Sequence, residues 1–177
     1  MEHTREGEVT LAYHEAGHAV IGRVLRLACG CATIIIPYRY LEGYAYIYDQ
    51  RTTVTEWTPE LWKMDQGFLP RHKVRAAFRG TIIALMAGVE AEKELVGPLP
   101  DDYDTDCHDR DEIEFLAASP EAELSKNLWV RYEPRMRRQA RRLVRKYGYS
   151  IETVAENLLE CETREEIDRI FCQNPPV

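Results

Sequence analysis

No apolar run in the 177-residue sequence approaches the roughly 18 residues of a membrane-spanning helix. The opening residues, MEHTREGEVT, lack the basic start and apolar middle of a secretory signal. Cysteine is scarce and odd in number, with five residues at 29, 31, 107, 161 and 172. That pattern excludes a disulfide framework and reads as reduced thiols in a cytoplasmic protein. Positive charge is in deficit, 23 Lys and Arg against 30 Asp and Glu for a net charge of −7, which argues against general affinity for nucleic acid or an anionic membrane. No G-x-x-x-x-G-K-[ST] occurs, so the sequence carries no phosphate-binding loop of the ATPase type, and it shows neither internal repeats nor low-complexity tracts. What remains is a 45% apolar composition with 10% aromatics, enough to bury a core as one domain spanning 1–177.

The first clear element is a helix over about Val9–Ala28. Leu11, Ala12, Ala16, Ala19, Val20, Val24 and Leu27 recur there at three- and four-residue spacing, with Thr10 as N-cap and Gly30 as stop. Two β-rich runs follow, Ala32–Pro37 and Gly43–Asp49, split by a short connection and expected to pair antiparallel. Residues 50–72 are polar, contain Trp57 and Trp62, and support at most a short helix at Pro59–Met64. Helical spacing returns over Lys73–Val96 and ends at Gly97-Pro98. A helix is expected over Asp109–Ala118, and another stretch lies between Pro120 and Pro134. Pro134 then reads as the first turn of a basic helix, Arg135–Tyr147, closed by Gly148. Ile151–Leu159 and Thr163–Phe171 complete the set, the last opened by a capping box of Thr163 and Glu166. The expected architecture is α+β and mostly helical, with a core over 1–118 and terminal helices over 119–177.

The chemistry concentrates in His14-Glu15-Ala16-Gly17-His18. Residues four apart on a helix lie one above the other, so His14 and His18 can grip a single ion. Zinc suits two neutral imidazoles, and a catalytic zinc site keeps one position open for water. Glu15 falls about 100° round the helix from His14, beside the metal, where a carboxylate can take a proton from the activated water. The alternative is a pair of core histidines satisfied by their neighbours. Against it, the motif lies in an apolar helix, and Gly17 inside that helix costs about 1 kcal/mol relative to Ala, a cost that makes sense where another backbone comes close.

A third protein ligand must come from elsewhere. The acidic stretch 101–112 is mostly a solvated loop, yet a carboxylate held at the start of a helix has the rigidity a ligand needs. Asp109 has Ile113, Leu116 and Ala117 behind it at helical spacing. Composition does not choose among Asp106, His108 and Asp109.

At this level the chain resembles a known family. Ala12-Tyr13-His14-Glu15-Ala16-Gly17-His18-Ala19 is similar to the AYHEAGHA signature of the M41 peptidase domain, the zinc-protease half of the FtsH ATP-dependent membrane proteases. Thr33-Ile34-Ile35-Ile36-Pro37, Leu41-Glu42-Gly43-Tyr44, Leu85-Met86-Ala87-Gly88-Val89-Glu90-Ala91-Glu92 and the stretch 140–170 resemble its later segments in order, leaving 50–72 and 120–134 unmatched. The resemblance implies a zincin-type metallopeptidase domain, with a small antiparallel sheet beside the HExxH helix and a C-terminal helical bundle. It also selects Asp109 as third ligand: placing the Asp of the family's S-N-D-x-x-x-A pattern there aligns Leu116 and Ala117 with the apolar positions after it. The chain departs from that pattern at Val89, where the family has Arg, and at Cys107-His108, where it has Ser-Asn.

The implied activity is zinc-dependent hydrolysis of peptide bonds. His14, His18 and Asp109 hold Zn2+, and Glu15 acts as general base and then as proton donor to the leaving amine. Glu92 is a candidate acceptor steadying a ligand histidine. The strand at 33–37 with its neighbour offers an edge for an extended peptide. With no ATPase module or membrane anchor in the sequence, the expected substrates are peptides or unfolded segments, with a homo-oligomer or a separate unfoldase as the partners to look for. Two other readings remain open: a regulatory protease of the HExGH type with Glu112 or Glu114 as third ligand, and a metal-stabilised binding module with little turnover. The arginines of 131–146 read as a solvated helix or a partner for the acidic stretch 101–114 rather than as a nucleic-acid face. Cys29 and Cys31 are too closely spaced for a zinc knuckle and read as buried thiols.

Overall fold

A computed structural model describes residues 5–35, 42–48, 71–97, 107–119, 122 and 124–160. Helix dominates, as the apolar spacing requires. The elements are α1 (Arg5–Val24), β1 (Ala28–Ile35), β2 (Glu42–Tyr48), α2 (Arg71–Ala91) running into a π-helical turn (Glu92–Val96), α3 (Cys107–Ala118), α4 (Lys126–Lys146) and α5 (Gly148–Glu160). Among the described residues no helix is long and apolar enough to cross a membrane.

α1 begins four residues earlier than the apolar spacing suggests. Its first turn is polar, with Glu6 and Glu8 near the positive end of the helix dipole, so periodicity alone does not register it. Thr10 is not the cap. It lies inside the helix, and its hydroxyl donates to the Glu6 carbonyl at 2.9 Å. The helix also stops well before Gly30. Arg26 takes a left-handed conformation (φ 59°), and the Leu27 N–H reaches back to the Gly22 carbonyl at 3.0 Å, a six-to-one closing bond that needs no glycine. Leu27 is buried after the turn, against Gly80 of α2.

β1 and β2 pair antiparallel, from Ala28 opposite Tyr48 to Ile35 opposite Glu42, with an irregularity between Cys29 and Ala32. Both strands lie against α1. The larger correction concerns Pro134. The stretches before and after it form one helix, α4, with Pro134 inside and exposed, where water can meet the carbonyl that loses its partner. Gly148 accordingly does not close a helix alone; it opens α5 directly after Tyr147. The expected helices at 59–64 and 163–171, with Trp57 and Trp62, lie outside the described residues, as do His3 and Asp106 and the side chains of Cys29 and Cys31.

α1 and α2 form the centre of the molecule, with α5 packed on α1 and α4 on α2. Small side chains let the central pair approach closely. Ala12, Ala16, Ala84, Ala87 and Ala91 are all fully buried, and a Cβ at Gly17 would stand 2.7 Å from the Ala87 carbonyl oxygen and 2.9 Å from the Ala91 Cβ. The close backbone approach expected of Gly17 is therefore present. Ile82 and Met86 of α2, Met136, Ala140 and Val144 of α4, and Ile151, Val154 and Ala155 of α5 fill the space around it. α3 docks its Ile113 and Ala117 and lies beside α2.

Candidate metal centre

His14 and His18 point their rings to one place. The ring centroids are 4.5 Å apart at an interplanar angle of 90°, and the two Nε2 atoms approach to 2.9 Å. Asp109, in the first turn of α3, brings Oδ2 to 3.0 Å from each of those nitrogens. Both histidines expose only 3% of their surface.

What lies behind the rings fixes their chemistry. His18 Nδ1 is 2.9 Å from the Ala84 carbonyl oxygen, which can only accept, so Nδ1 carries the proton and Nε2 is left with a lone pair. His14 Nδ1 is 2.5 Å from Glu92 Oε1, and a carboxylate acceptor there enforces the same tautomer. Asp109 Oδ2 is buried at the atom level and has no hydrogen-bond partner among the described residues. Two imidazole lone pairs and a carboxylate oxygen thus face one another in a nearly dry interior, an arrangement that repels itself unless a cation or a proton lies between. Donors bound tetrahedrally to one ion at zinc distances stand roughly 3.3 Å apart, so a few tenths of an ångström of outward relaxation would seat one. His14, His18 and Asp109 form a possible metal site.

The same electrostatics dominate the protein without an ion. Burial opposes the charged form of His14, but the nearby carboxylates of Asp109 and Glu92 outweigh it and raise the pKa from 6.5 to about 10. His18 is also raised, the charge of Asp109 overcoming burial. Burial pushes the Asp109 carboxyl up, yet the two histidines hold it well below the usual range. Glu15 is only 4% exposed, its Oε2 has no hydrogen-bond partner among the described residues, and burial raises its pKa against the pull of His18 and His14.

Among the shortlisted third ligands that are described, Asp109 is the one that reaches the imidazoles. His108 is exposed on α3, as are Glu112 and Glu114, and Asp106 lies outside the described residues. α3 begins at Cys107, so Asp109 lies in its first turn rather than at its opening residue. Glu92 is 2% exposed at the start of the π-helical turn, the kind of local widening that re-aims a side chain.

Sequence reasoning missed Gly88. A Cβ there would stand 2.5 Å from His18 Cε1, 2.7 Å from His18 Nε2 and 2.9 Å from His14 Cε1, so only glycine leaves room for both rings. The signal was an interior helical glycine facing the motif helix, the same kind that marked Gly17. Nor did the sequence single out the acids that pair with the basic helix. Arg141 Nε donates to Glu90 Oε2 at 2.6 Å, and Arg145 Nε donates to Glu94 Oε2 at 2.6 Å. Among the described residues, the acids that pair with α4 are Glu90, Glu94 and its own Glu133, while 101–106 of the acidic stretch lie outside the described residues.

Neither a scan against protein-family models nor a search of curated proteins returns a match.

Proposed function

We propose that this chain is a zinc-dependent metallopeptidase. The observation that carries the reading is the convergence of two lone-pair nitrogens, His14 Nε2 and His18 Nε2, with the unpartnered Asp109 Oδ2, all within 3.0 Å, beside a buried carboxylate on the same helix. The donor set of two imidazoles and one carboxylate suits zinc and leaves one position open. Bound there, zinc would supply a Lewis acid that lowers the pKa of water and polarises a carbonyl. Glu15 has the properties of the accompanying base. Its Oε2 has no hydrogen-bond partner among the described residues, and burial raises its proton affinity, the direction that favours a group accepting a proton. Glu92 and the Ala84 carbonyl hold the two rings in the tautomer the reading needs. Peptides and unfolded segments are the proposed substrates, and the edge of the β1–β2 ribbon against α1 is the proposed docking strand.

A second reading, a metal-stabilised module with little turnover, is favoured by the depth of the centre, where His14, Glu15 and His18 expose only 3–4%. The variant with a Glu third ligand has no such support, since Glu112 and Glu114 are exposed.

Metal analysis of the purified chain, followed by hydrolysis of an unfolded casein-like substrate by the parent and by Glu15→Gln, separates the readings. The peptidase reading expects stoichiometric zinc in both proteins and loss of about 10²–10⁴-fold in rate in the variant. Equal rates would remove Glu15 from catalysis, and zinc without turnover in the parent would favour the second reading.

A further inference from the structure

α4 carries its arginines in two rows. Arg137, Arg141 and Arg145, four apart, face Glu90 and Glu94. Arg131, Arg135, Arg138 and Arg142 are exposed, and none has a carboxylate partner among the described residues. In a chain of net charge −7 this row is a local field of the opposite sign.

The row borders two adjoining grooves. One, of about 460 Å³, is lined by Arg135, Arg138, Gln139 and Arg142 with Leu143. The other, of about 360 Å³, shares Arg135 and Gln139 and extends to Arg79 on α2 over an apolar floor of Leu25, Ile83 and Met136. Both volumes fall within the ~300–1,000 Å³ of ordinary ligand clefts. Arg79 Nε is buried, with no hydrogen-bond acceptor among the described residues. Its guanidinium lies 5.0 Å from the centroid of the Tyr132 ring, and that of Arg135 lies 5.8 Å from the same centroid.

We infer that this groove binds an extended acidic peptide segment that also carries apolar side chains. Carboxylates match the planar forks of Arg135, Arg138 and Arg142. The aliphatic floor takes the residues between them. A nucleic acid fits less well: its phosphates would meet the arginines, but two guanidiniums already lie over Tyr132, the aromatic ring that would stack a base. The groove uses Ala76, Arg79, Gly80 and Ile83 of α2, whereas the metal centre uses Ala84, Gly88 and Glu92, so occupancy of one does not require the other.

The test is fluorescence anisotropy with the full chain carrying Glu15→Gln and a short fluorescein-labelled peptide alternating Glu with Leu. A peptide with Lys in place of Glu and a single-stranded RNA are the competing probes. The Glu peptide is expected to bind saturably and more weakly as salt rises, with Arg135→Glu/Arg138→Glu lowering affinity about tenfold or more. Arg135→Gln/Arg138→Gln should give a smaller loss, and it serves if the reversed charges disturb the fold. Arg5→Glu/Arg23→Glu, the same change of net charge on exposed positions of α1, should bind like the parent. Unchanged affinity in both α4 variants, an equal loss in the α1 variant, or tighter binding of the RNA or the Lys peptide would overturn the inference. Because binding is read without turnover, none of these outcomes depends on the metal centre being a peptidase.

Discussion

The imidazole of His14 and the carboxylate of Glu92, 78 residues apart in sequence, meet at 2.5 Å in a site from which water is nearly excluded. A ring held this way keeps its far nitrogen aimed at His18 Nε2 and Asp109 Oδ2, and the carboxylate behind it makes that nitrogen more basic. Glu92→Gln is therefore expected to lower zinc affinity about 10–100-fold, read by competition with a chromophoric chelator. An unchanged affinity would mean that Glu92 serves packing alone.

Asp109 supplies its oxygen to both histidines, whereas Glu112 lies exposed one turn further along α3. Asp109→Ala should lose zinc on dialysis, and Glu112→Ala should retain it. The reverse outcome would transfer the third position to the glutamate.

Gly17 and Gly88 face crowding of different kinds. In Gly17→Ala the new methyl meets backbone, the Ala87 carbonyl, which cannot swing aside. Overpacking of about 1–3 kcal/mol outweighs the helix-propensity gain of about 1 kcal/mol, so the melting temperature should fall by several degrees. In Gly88→Ala the methyl meets the imidazoles themselves. Zinc affinity should drop at least tenfold while far-ultraviolet circular dichroism stays that of the parent. A Gly88→Ala protein that holds zinc as tightly as the parent would contradict the packing described for the rings.

The ion-free protein should show an unusual pH dependence. The pKa of His14 is raised from 6.5 to about 10 in the folded chain, so its proton stabilises the fold fully below pH 6.5, and that contribution is lost as pH climbs toward 10. His18 is displaced in the same direction. Melting in the presence of chelator should accordingly decline between pH 6.5 and 10. Zinc affinity should rise across the same interval, because the ion and the proton compete for one nitrogen. Thermal scans with and without chelator check both, and a chelated protein that gains stability across that interval would refute the assignment.

The motif helix, the paired strands and the close approach at Gly17 were legible because each leaves a local mark: i, i+4 imidazoles, β-rich runs around a short connection, and a costly glycine in an apolar helix. Asp109 was only shortlisted from residues alone, since its position depends on how α3 docks against α2, a long-range packing fact that no local pattern encodes. Pro134 misled because proline usually opens a helix, while an exposed carbonyl lets a long helix tolerate it inside. The end of α1 misled for a similar reason: Arg26 adopts a turn that glycine normally takes, held by the Leu27–Gly22 bond and by burial of Leu27. The arginines of α4 advertise charge but not its partners, and Glu90, with no exposed surface, reads in sequence like any helical acid.

The three donors come from two helices that the chain joins only through a very long detour, α1 at one end and α3 at the other. An ion gripped between them would act as a crosslink, removing loop-closure entropy from the unfolded chain much as a disulfide does. Stripping the ion would then loosen α3 first, since Ile113 and Ala117 are its buried anchors. Protease cuts near residues 107–118 would report metal loss before the α1–α2 pair gives way.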